Sequence, residues 1–143
     1  MARILLPVDG SKHCLRTTAR MIAIAKEWRS KPEVLPLYVH LPVPSVSGLG
    51  SVIGKTALQR YYQEEGDAAL APTVKLLAKA GFSTKPLILV GPVAESIASH
   101  AKKAKCDFIF LGTRGMTAAA NLVMGSVATK VLHIADVPVI LVR

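Results

Sequence analysis

Near the C-terminal end of the sequence, a short apolar run is followed by glycines at positions typical of a phosphate-binding loop. The run, residues 108–111, has the length of a strand that is buried on both faces of a sheet. Gly112, Gly115 and Gly125 follow it, and glycine lets the backbone turn and approach a ligand without a Cβ in the way. Ser126 then opens a segment with apolar residues at helical spacing. Because a helix N-terminus favours an anion, this pattern predicts a phosphate site around Gly125 and Ser126.

A second glycine-rich stretch, residues 48–56, has the letters of a Walker A phosphate loop but not its spacing. Counted from Gly50 it has one residue too few before Gly54, and counted from Gly48 it has one too many. We therefore expect a loop beside the ligand crevice, and a contact between Lys55 and phosphate stays an open alternative.

Strands and helices alternate along the whole sequence, which is typical of a parallel sheet with helices on both faces. Apolar runs predict strands at residues 3–8, 34–40, 84–90, 108–111 and 137–142. Helical spacing predicts helices from Ser11 to about 28, from about 57 to 80, from Pro92 to about 105 and from Ser126 to about 135. In such folds a ligand binds at the carboxyl ends of the strands.

Three of these helices allow more detailed predictions. Ser11 is a suitable N-cap for the first helix. The buried stripe predicted for that helix is Leu15, Ala19, Ile22 and Ala25. Gly66 and Pro72 predict a kink or a break in the second helix. For the last helix, the residues predicted on one face are Val127, Val131 and Ile134.

The composition indicates one domain that spans residues 1–143. A hydrophobic content of 51% excludes a disordered chain. The net charge is +9, from 18 Lys and Arg against 9 Asp and Glu. The basic residues are scattered over the predicted helices, and the few aromatic residues form no stacking platform. We therefore expect no nucleic-acid partner despite this charge.

The start of the chain and its cysteines predict a cytoplasmic protein. The first residues lead directly into a strand and do not have the pattern of a signal peptide. Cys14 and Cys106 are too few and too isolated for a disulfide framework or a metal site. Residues 34–54 carry no Asp, Glu, Lys or Arg, but their prolines argue against a membrane-spanning helix.

The spacing Gly112-x2-Gly115-x9-Gly125-Ser126 resembles the ATP-binding signature of the universal stress protein family. Other segments similar to this family are PVDGS at 7–11, LYV at 37–39, GPVAESI at 91–97 and VPVILV at 137–142. The resemblance covers essentially the whole chain. It implies an α/β fold of the adenine nucleotide alpha hydrolase-like type, a five-stranded parallel doubly wound sheet of order 3-2-1-4-5. It also implies a homodimer formed through strand 137–142.

The resemblance further implies an adenine nucleotide ligand, either ATP or a related nucleotide, with or without Mg²⁺. The backbone of Val39 would read the adenine edge, between apolar walls formed by Pro7, Val8 and Leu111. Asp9 would contact the ribose or a metal ion on the phosphates. Residues implied to contact ribose and phosphates are Gly112, Gly115, Gly125, Ser126 and Val127, whereas Arg114, Thr113 and Thr117 are left open.

Three other functions stay open at this point. An ATP-using nucleotidyl transferase or pyrophosphatase of related fold is one, but the loop after the first strand reads DGSKH and lacks the motifs of those enzymes. No group placed to catalyse ATP hydrolysis is evident, and the four histidines do not have zinc-site or catalytic-triad spacing. The others are a nucleic-acid-binding module and a family member that acts only through its dimer surface.

Overall fold

The computed structural model describes residues 1–44, 54–115 and 124–143, and these ranges contain five strands and four helices. The strands are β1 (Arg3–Val8), β2 (Glu33–His40), β3 (Leu87–Val90), β4 (Phe108–Gly112) and β5 (Val139–Val142). The helices are α1 (Lys12–Lys26), α2 (Lys55–Lys79), α3 (Val93–Lys103) and α4 (Ser126–Ile134). All strand pairs are parallel and the order is β3-β2-β1-β4-β5, which confirms the predicted fold class and strand order.

The two faces of the sheet carry separate apolar cores, because successive side chains of a strand point to opposite faces. Ile109 and Leu111 of β4 pack in one cluster with α3 and α4. Phe110 packs on the other face with α1 and α2. Strand β4 is therefore buried on both faces, as its continuous apolar run predicts. None of the described helices has the length and apolarity that crossing a bilayer requires.

Strands β1 and β4 are neighbours only near their starts, and this opens the sheet at its carboxyl end. Their register ends at the pair of Leu5 with Ile109, although β1 continues to Val8 and β4 to Gly112. The order of strands reverses between β1 and β4. The gap therefore lies at the switch point, where ligands bind in doubly wound sheets.

Helix α1 confirms its predicted cap and corrects its predicted buried face. The hydroxyl of Ser11 accepts a hydrogen bond from the Cys14 N–H at 3.2 Å. The buried residues are Cys14, Thr17, Thr18, Met21, Ile22 and Ala25, whereas Leu15 and Ala19 are exposed. Thr17 and Thr18 tolerate burial because their hydroxyls donate to carbonyl oxygens one turn earlier, at 3.1 and 2.9 Å.

Helix α2 runs without a break through Gly66 and Pro72, so the predicted break is wrong, whereas the alternative of a kink stays a prediction. A Cβ placed on Gly66 would lie 2.5 Å from Cγ1 of Ile88, which is closer than side chains pack. Glycine at this position therefore allows α2 to lie close against β3.

Two of the strands were predicted to begin earlier than they do: 84–90 for β3, which begins at Leu87, and 137–142 for β5, which begins at Val139. Thr84 forms only an isolated bridge, and Pro86, which has no N–H to donate, separates it from β3. Pro138 likewise lies just before β5. Proline therefore sets the start of both strands.

Candidate functional site

A crevice of about 420 Å³ opens where β1 and β4 part, and all of the predicted site residues line it. They are Pro7, Val8, Asp9, Val39, Leu111, Gly112, Arg114, Gly115, Gly125, Ser126 and Val127. These residues come from the ends of β1, β2 and β4, the loop after β4 and the start of α4. The structure brings them to one place, and their contact with a ligand stays a prediction.

Asp9 lies in the turn after β1 and contacts the loop after β4. Its Oδ1 accepts a hydrogen bond from the Ser11 N–H at 2.9 Å, and Gly10 turns the chain with a φ of +80°. Its Oδ2 lies 2.7 Å from the position that a Cβ on Gly115 would occupy. Gly115 therefore makes room for a carboxylate of the protein itself, and a larger residue there would displace Asp9.

Gly112, at the end of β4, makes room for a second side chain of the protein. A Cβ on Gly112 would lie 2.6 Å from Oγ1 of Thr17, which is 3% exposed at the base of the crevice. That hydroxyl also donates to the carbonyl of His13, so it cannot easily rotate away. The absence of a side chain at Gly112 therefore allows α1 and β4 to meet at the switch point.

The start of α4 supplies N–H groups to the crevice. Gly125 is the N-cap, and its N–H donates to the carbonyl of Thr113 at 2.6 Å. That N–H therefore has a partner within the protein in this structure, and contact of Gly125 with phosphate stays a prediction. The N–H groups of Ser126, Val127 and Ala128 are the first three of the helix, and no helical carbonyl precedes them. Together with the helix dipole, they make this end of the crevice favourable for an anion.

The face of α4 that packs against the protein agrees with its prediction at Val127 and Val131 and differs at Ile134. Val131 is buried and Val127 is half-buried, but Ile134 is 41% exposed. Ala128 is buried in its place and packs against α3 and the sheet. The small side chain of Ala128 lets the first turn of α4 lie close to the end of β4.

The end of β2 forms another wall of the crevice, where the backbone of Val39 faces the gap beyond β1. Hydrogen bonds alternate in direction along a parallel strand, and Glu33 donates its N–H toward β1 while Val34 donates toward β3. By this alternation, the N–H and C=O of Val39 point to the β1 side. Because β1 pairs with β2 only as far as Tyr38, the carbonyl of Val39 faces the crevice as an acceptor.

This chain is similar to known proteins over its whole length. The model of the Universal stress protein family matches residues 1–143. The chain belongs to the universal stress protein family. The universal stress protein MJ0531 of Methanocaldococcus jannaschii is 34% identical, over 99% of this chain and 81% of that protein. A universal stress protein of Thermus aquaticus is 35% identical, over 98% of this chain and 97% of that protein.

Solved structures of the universal stress protein family share this fold. MJ0577 of Methanocaldococcus jannaschii is 25% identical, with a TM-score of 0.81 over 99% of this chain and 94% of that one. Three others contain nucleotides: a protein of Arabidopsis thaliana with AMP, a protein of Archaeoglobus fulgidus with dAMP, and a universal stress protein with cAMP. Their identities to this chain are 17%, 22% and 21%, and their TM-scores are 0.69, 0.66 and 0.61. They cover at least 99% of this chain and 91% or more of their own.

The crevice also contains residues outside the set predicted for this universal stress protein. They are Cys14, Thr17, Leu37, Tyr38, His40, Leu41, Val93, Ile97, Thr113 and Ala128. Tyr38 and His40 flank Val39 in β2, so strand register would have identified them. Cys14 and Thr17 lie on the buried face of α1 and require the correct helical phase. Burial raises the pKa of the Cys14 thiol, which keeps it protonated near neutral pH.

The glycine-rich stretch 48–56 and Thr117, both considered in the sequence analysis, fall in two stretches that lie partly outside the described residues. They are the middle of loop 42–56, at residues 45–53, and the segment 116–123, which contains Thr117. The described chain on either side places Lys55 at the start of α2 and outside the residues that line the crevice.

Proposed function

We propose that this member of the universal stress protein family binds an adenine nucleotide in the crevice, with ATP as the expected ligand. The observation that carries the proposal is that one crevice holds two complementary features. The N–H groups at the start of α4 suit phosphate oxygens. The carbonyl of Val39 suits the exocyclic amino group of adenine, which is a donor. Apolar surface for the base and the ribose comes from Pro7, Val8 and Leu111.

The related structures support the same ligand class. AMP, dAMP and cAMP are the ligands of three universal stress proteins that share this fold. All three ligands combine an adenine base with a phosphate group. A crevice that offers a carbonyl acceptor and a helix N-terminus meets these shared requirements, and ATP extends them by two further phosphates.

Arg114 and Asp9 set the charge of the proposed phosphate end. Arg114 lines the crevice beside Gly115, where a guanidinium adds positive charge for a polyphosphate. Among the described residues, no three His, Cys, Asp or Glu lie close enough together to hold a metal ion. Mg²⁺ therefore fits only as an ion bound mainly by nucleotide phosphates, with Asp9 as its carboxylate contact, directly or through water.

We also propose that the protein acts as a cytoplasmic homodimer whose surface responds to nucleotide. Strand β5 lies at the edge of the described sheet, and Leu141 on it is 37% exposed. An apolar edge strand favours pairing with a second copy. Sedimentation should therefore show a dimer that the Leu141→Lys variant dissociates, and a monomeric wild-type protein would contradict this part of the proposal.

Isothermal titration with ATP, ADP and AMP tests nucleotide binding directly. We expect Gly125→Val to weaken ATP binding about ten-fold or more, because Gly125 lines the phosphate end of the crevice and a branched side chain there crowds the Thr113 carbonyl oxygen, which lies 3.4 Å from the Cβ position. The backbone tolerates valine there, since Gly125 has a φ of −72° and a ψ of 165°, which lie in the β region open to all residues. Gly54→Val is the matched control, because Gly54 is also a helix N-cap and a Cβ on it meets none of the described residues within 4 Å.

The design separates a wrong ligand from a wrong site. Wild-type protein that binds none of the three nucleotides would overturn the proposed function. Equal ATP affinities of wild type and Gly125→Val, with both proteins folded, would instead show that the phosphates bind elsewhere. Nucleotide released on denaturing protein purified without added ligand would identify the form that is bound.

A further inference from the structure

We propose that Tyr62 is a positioning residue for adenine recognition, because its hydroxyl and ring hold the β2 wall of the crevice in place from the first turns of α2. The inference rests on the proposed nucleotide function and adds a residue that does not itself line the crevice. It also gives α2 a role in selecting the base.

The β2 wall, residues 39–41, loses one of its two supports where it lines the crevice. Up to Tyr38, β2 is paired with β1 on one side and with β3 on the other. Beyond that residue only β3 remains, through the pairs of Val39 with Leu89 and of His40 with Val90. The segment that carries the proposed adenine acceptor therefore has a sheet neighbour on one side only.

An aromatic cluster supplies the missing support from α2. The imidazole of His40 lies 5.0 Å from the ring of Tyr62 and 5.4 Å from that of Tyr61, in edge-on arrangements. The ring of Tyr38 approaches the same imidazole at 5.9 Å. Such edge-to-face aromatic contacts are directional and hold rings in defined positions. The cluster thus connects the end of β2 to the beginning of α2.

Tyr62 adds a hydrogen bond to the main chain just after the wall. Its hydroxyl accepts from the Val43 N–H at 2.8 Å. Between the two, His40 Nδ1 lies 2.5 Å from the carbonyl oxygen of Leu41, and the His40 carbonyl accepts from the Gly91 N–H at 2.9 Å. The chain is therefore held at both ends of residues 40–43, by β3 on one side and by Tyr62 on the other.

The position of the wall should determine discrimination between adenine and hypoxanthine. ATP presents an amino group, which donates a hydrogen bond to the Val39 carbonyl. ITP presents an oxygen at the same place, and an oxygen without a hydrogen has nothing to donate to that carbonyl. Discrimination of this kind requires the acceptor to be held in position, since a mobile acceptor can move away from the wrong base. Phosphate contacts at α4 are the same for both nucleotides.

The test compares ATP and ITP affinities of the full-length protein by titration calorimetry. Tyr62→Phe removes the hydroxyl and keeps the ring, so we expect ATP affinity to fall about three- to ten-fold while ITP affinity changes little. The ATP-to-ITP ratio should therefore fall by the same factor. Tyr61→Phe is the matched control, because it removes the same atom from the neighbouring ring, which is 43% exposed, and it should leave the ratio unchanged.

A second variant breaks the same hydrogen bond from its other end. Val43→Pro removes the donor N–H, and combined with Tyr62→Phe it should lower the ratio no further than either change alone. Thermal unfolding of each variant checks that the fold is retained. A purely structural role for Tyr62 would weaken ATP and ITP binding equally.

Each outcome decides the inference. A lower ATP-to-ITP ratio in Tyr62→Phe and in Val43→Pro, with Tyr61→Phe like the wild type, supports it. An unchanged ratio in both variants, or an equal loss of both nucleotides, overturns it and leaves the proposed nucleotide function intact. Wild-type protein that binds neither nucleotide overturns the proposed function and this inference together.

Discussion

At the scale of single residues, Gly112 shows that a glycine of a binding signature can be required by the protein as well as by a ligand. Its Cα faces the Thr17 hydroxyl, and a Cβ would lie 2.6 Å from that oxygen. A ligand-based explanation predicts that a small side chain at Gly112 affects binding alone. The observed contact predicts that it also destabilises the fold, in a way that depends on Thr17.

We expect Gly112→Ala to lower the free energy of unfolding by about 1–3 kcal/mol, as overpacked sites do. Thr17→Ala removes the obstructing oxygen, so the double variant should be more stable than the sum of the two single changes by about 1 kcal/mol. Urea unfolding of the four proteins measures this coupling. Strict additivity would show that Thr17 does not restrict residue 112.

The grouping of the signature glycines and Ser126 in one crevice could be predicted, whereas their contact with a ligand stays a prediction. Glycines and a serine before a helix indicate an anion site from spacing alone, and the structure places them along the crevice. The use of each polar group could not be predicted. The Gly125 N–H bonds to the Thr113 carbonyl, and that depends on how closely the residue after β4 lies to the N-cap of α4.

At the scale of elements, the strands were easier to predict than the faces of the helices. A strand buried on both sides needs only a continuous apolar run, and β1 agrees with its prediction at both ends. The buried face of α1 contains two threonines, which satisfy their hydroxyls within the helix. A prediction from hydrophobic residues alone therefore chose Leu15 and Ala19 instead. To predict which face of a helix is buried, threonines that can form hydrogen bonds within the helix must be counted with the apolar residues.

For the Gly66→Ala change in α2, helix propensity and packing have opposite effects on the stability of the protein. Alanine is favoured over glycine inside a helix by about 1 kcal/mol. The methyl of Gly66→Ala would overlap Ile88 of β3, so we expect this variant to be less stable by about 1–3 kcal/mol. Ala68→Gly, at an exposed position of α2, measures propensity alone and should cost about 1 kcal/mol. Thermal or urea unfolding that finds Gly66→Ala stabilised would show that α2 does not pack closely on β3.

At the scale of the whole molecule, the two ends of the sheet carry different features. The crevice occupies the carboxyl ends of the strands, and an ion-pair network occupies their amino ends. Glu33, at the start of β2, accepts from Arg3 Nε at 2.7 Å and from Lys85 Nζ at 2.8 Å. Arg3 also donates to the carbonyl of Ala104 at 2.6 Å. The network therefore connects β1, β2, the chain before β3 and the loop before β4, at a distance from the proposed ligand.

The Glu33 carboxylate should make the stability of the fold depend on pH without affecting the crevice. Hydrogen bonds from Lys85 and Arg3 lower the pKa of Glu33 below its usual value of 4.5. The Glu33 carboxylate therefore binds a proton more readily in the unfolded chain than in the folded protein. Its contribution to the free energy of unfolding is complete above about pH 4.5 and is lost as the pH falls through the lower folded pKa. We expect Glu33→Gln to be less stable than the wild type at pH 7 and the difference to shrink under acid conditions, while ATP affinity at pH 7 is unchanged. Urea unfolding across pH measures this, with Glu64→Gln on the exposed face of α2 as the control. A stability difference independent of pH would show that the charge of Glu33 does not stabilise the amino end of the sheet.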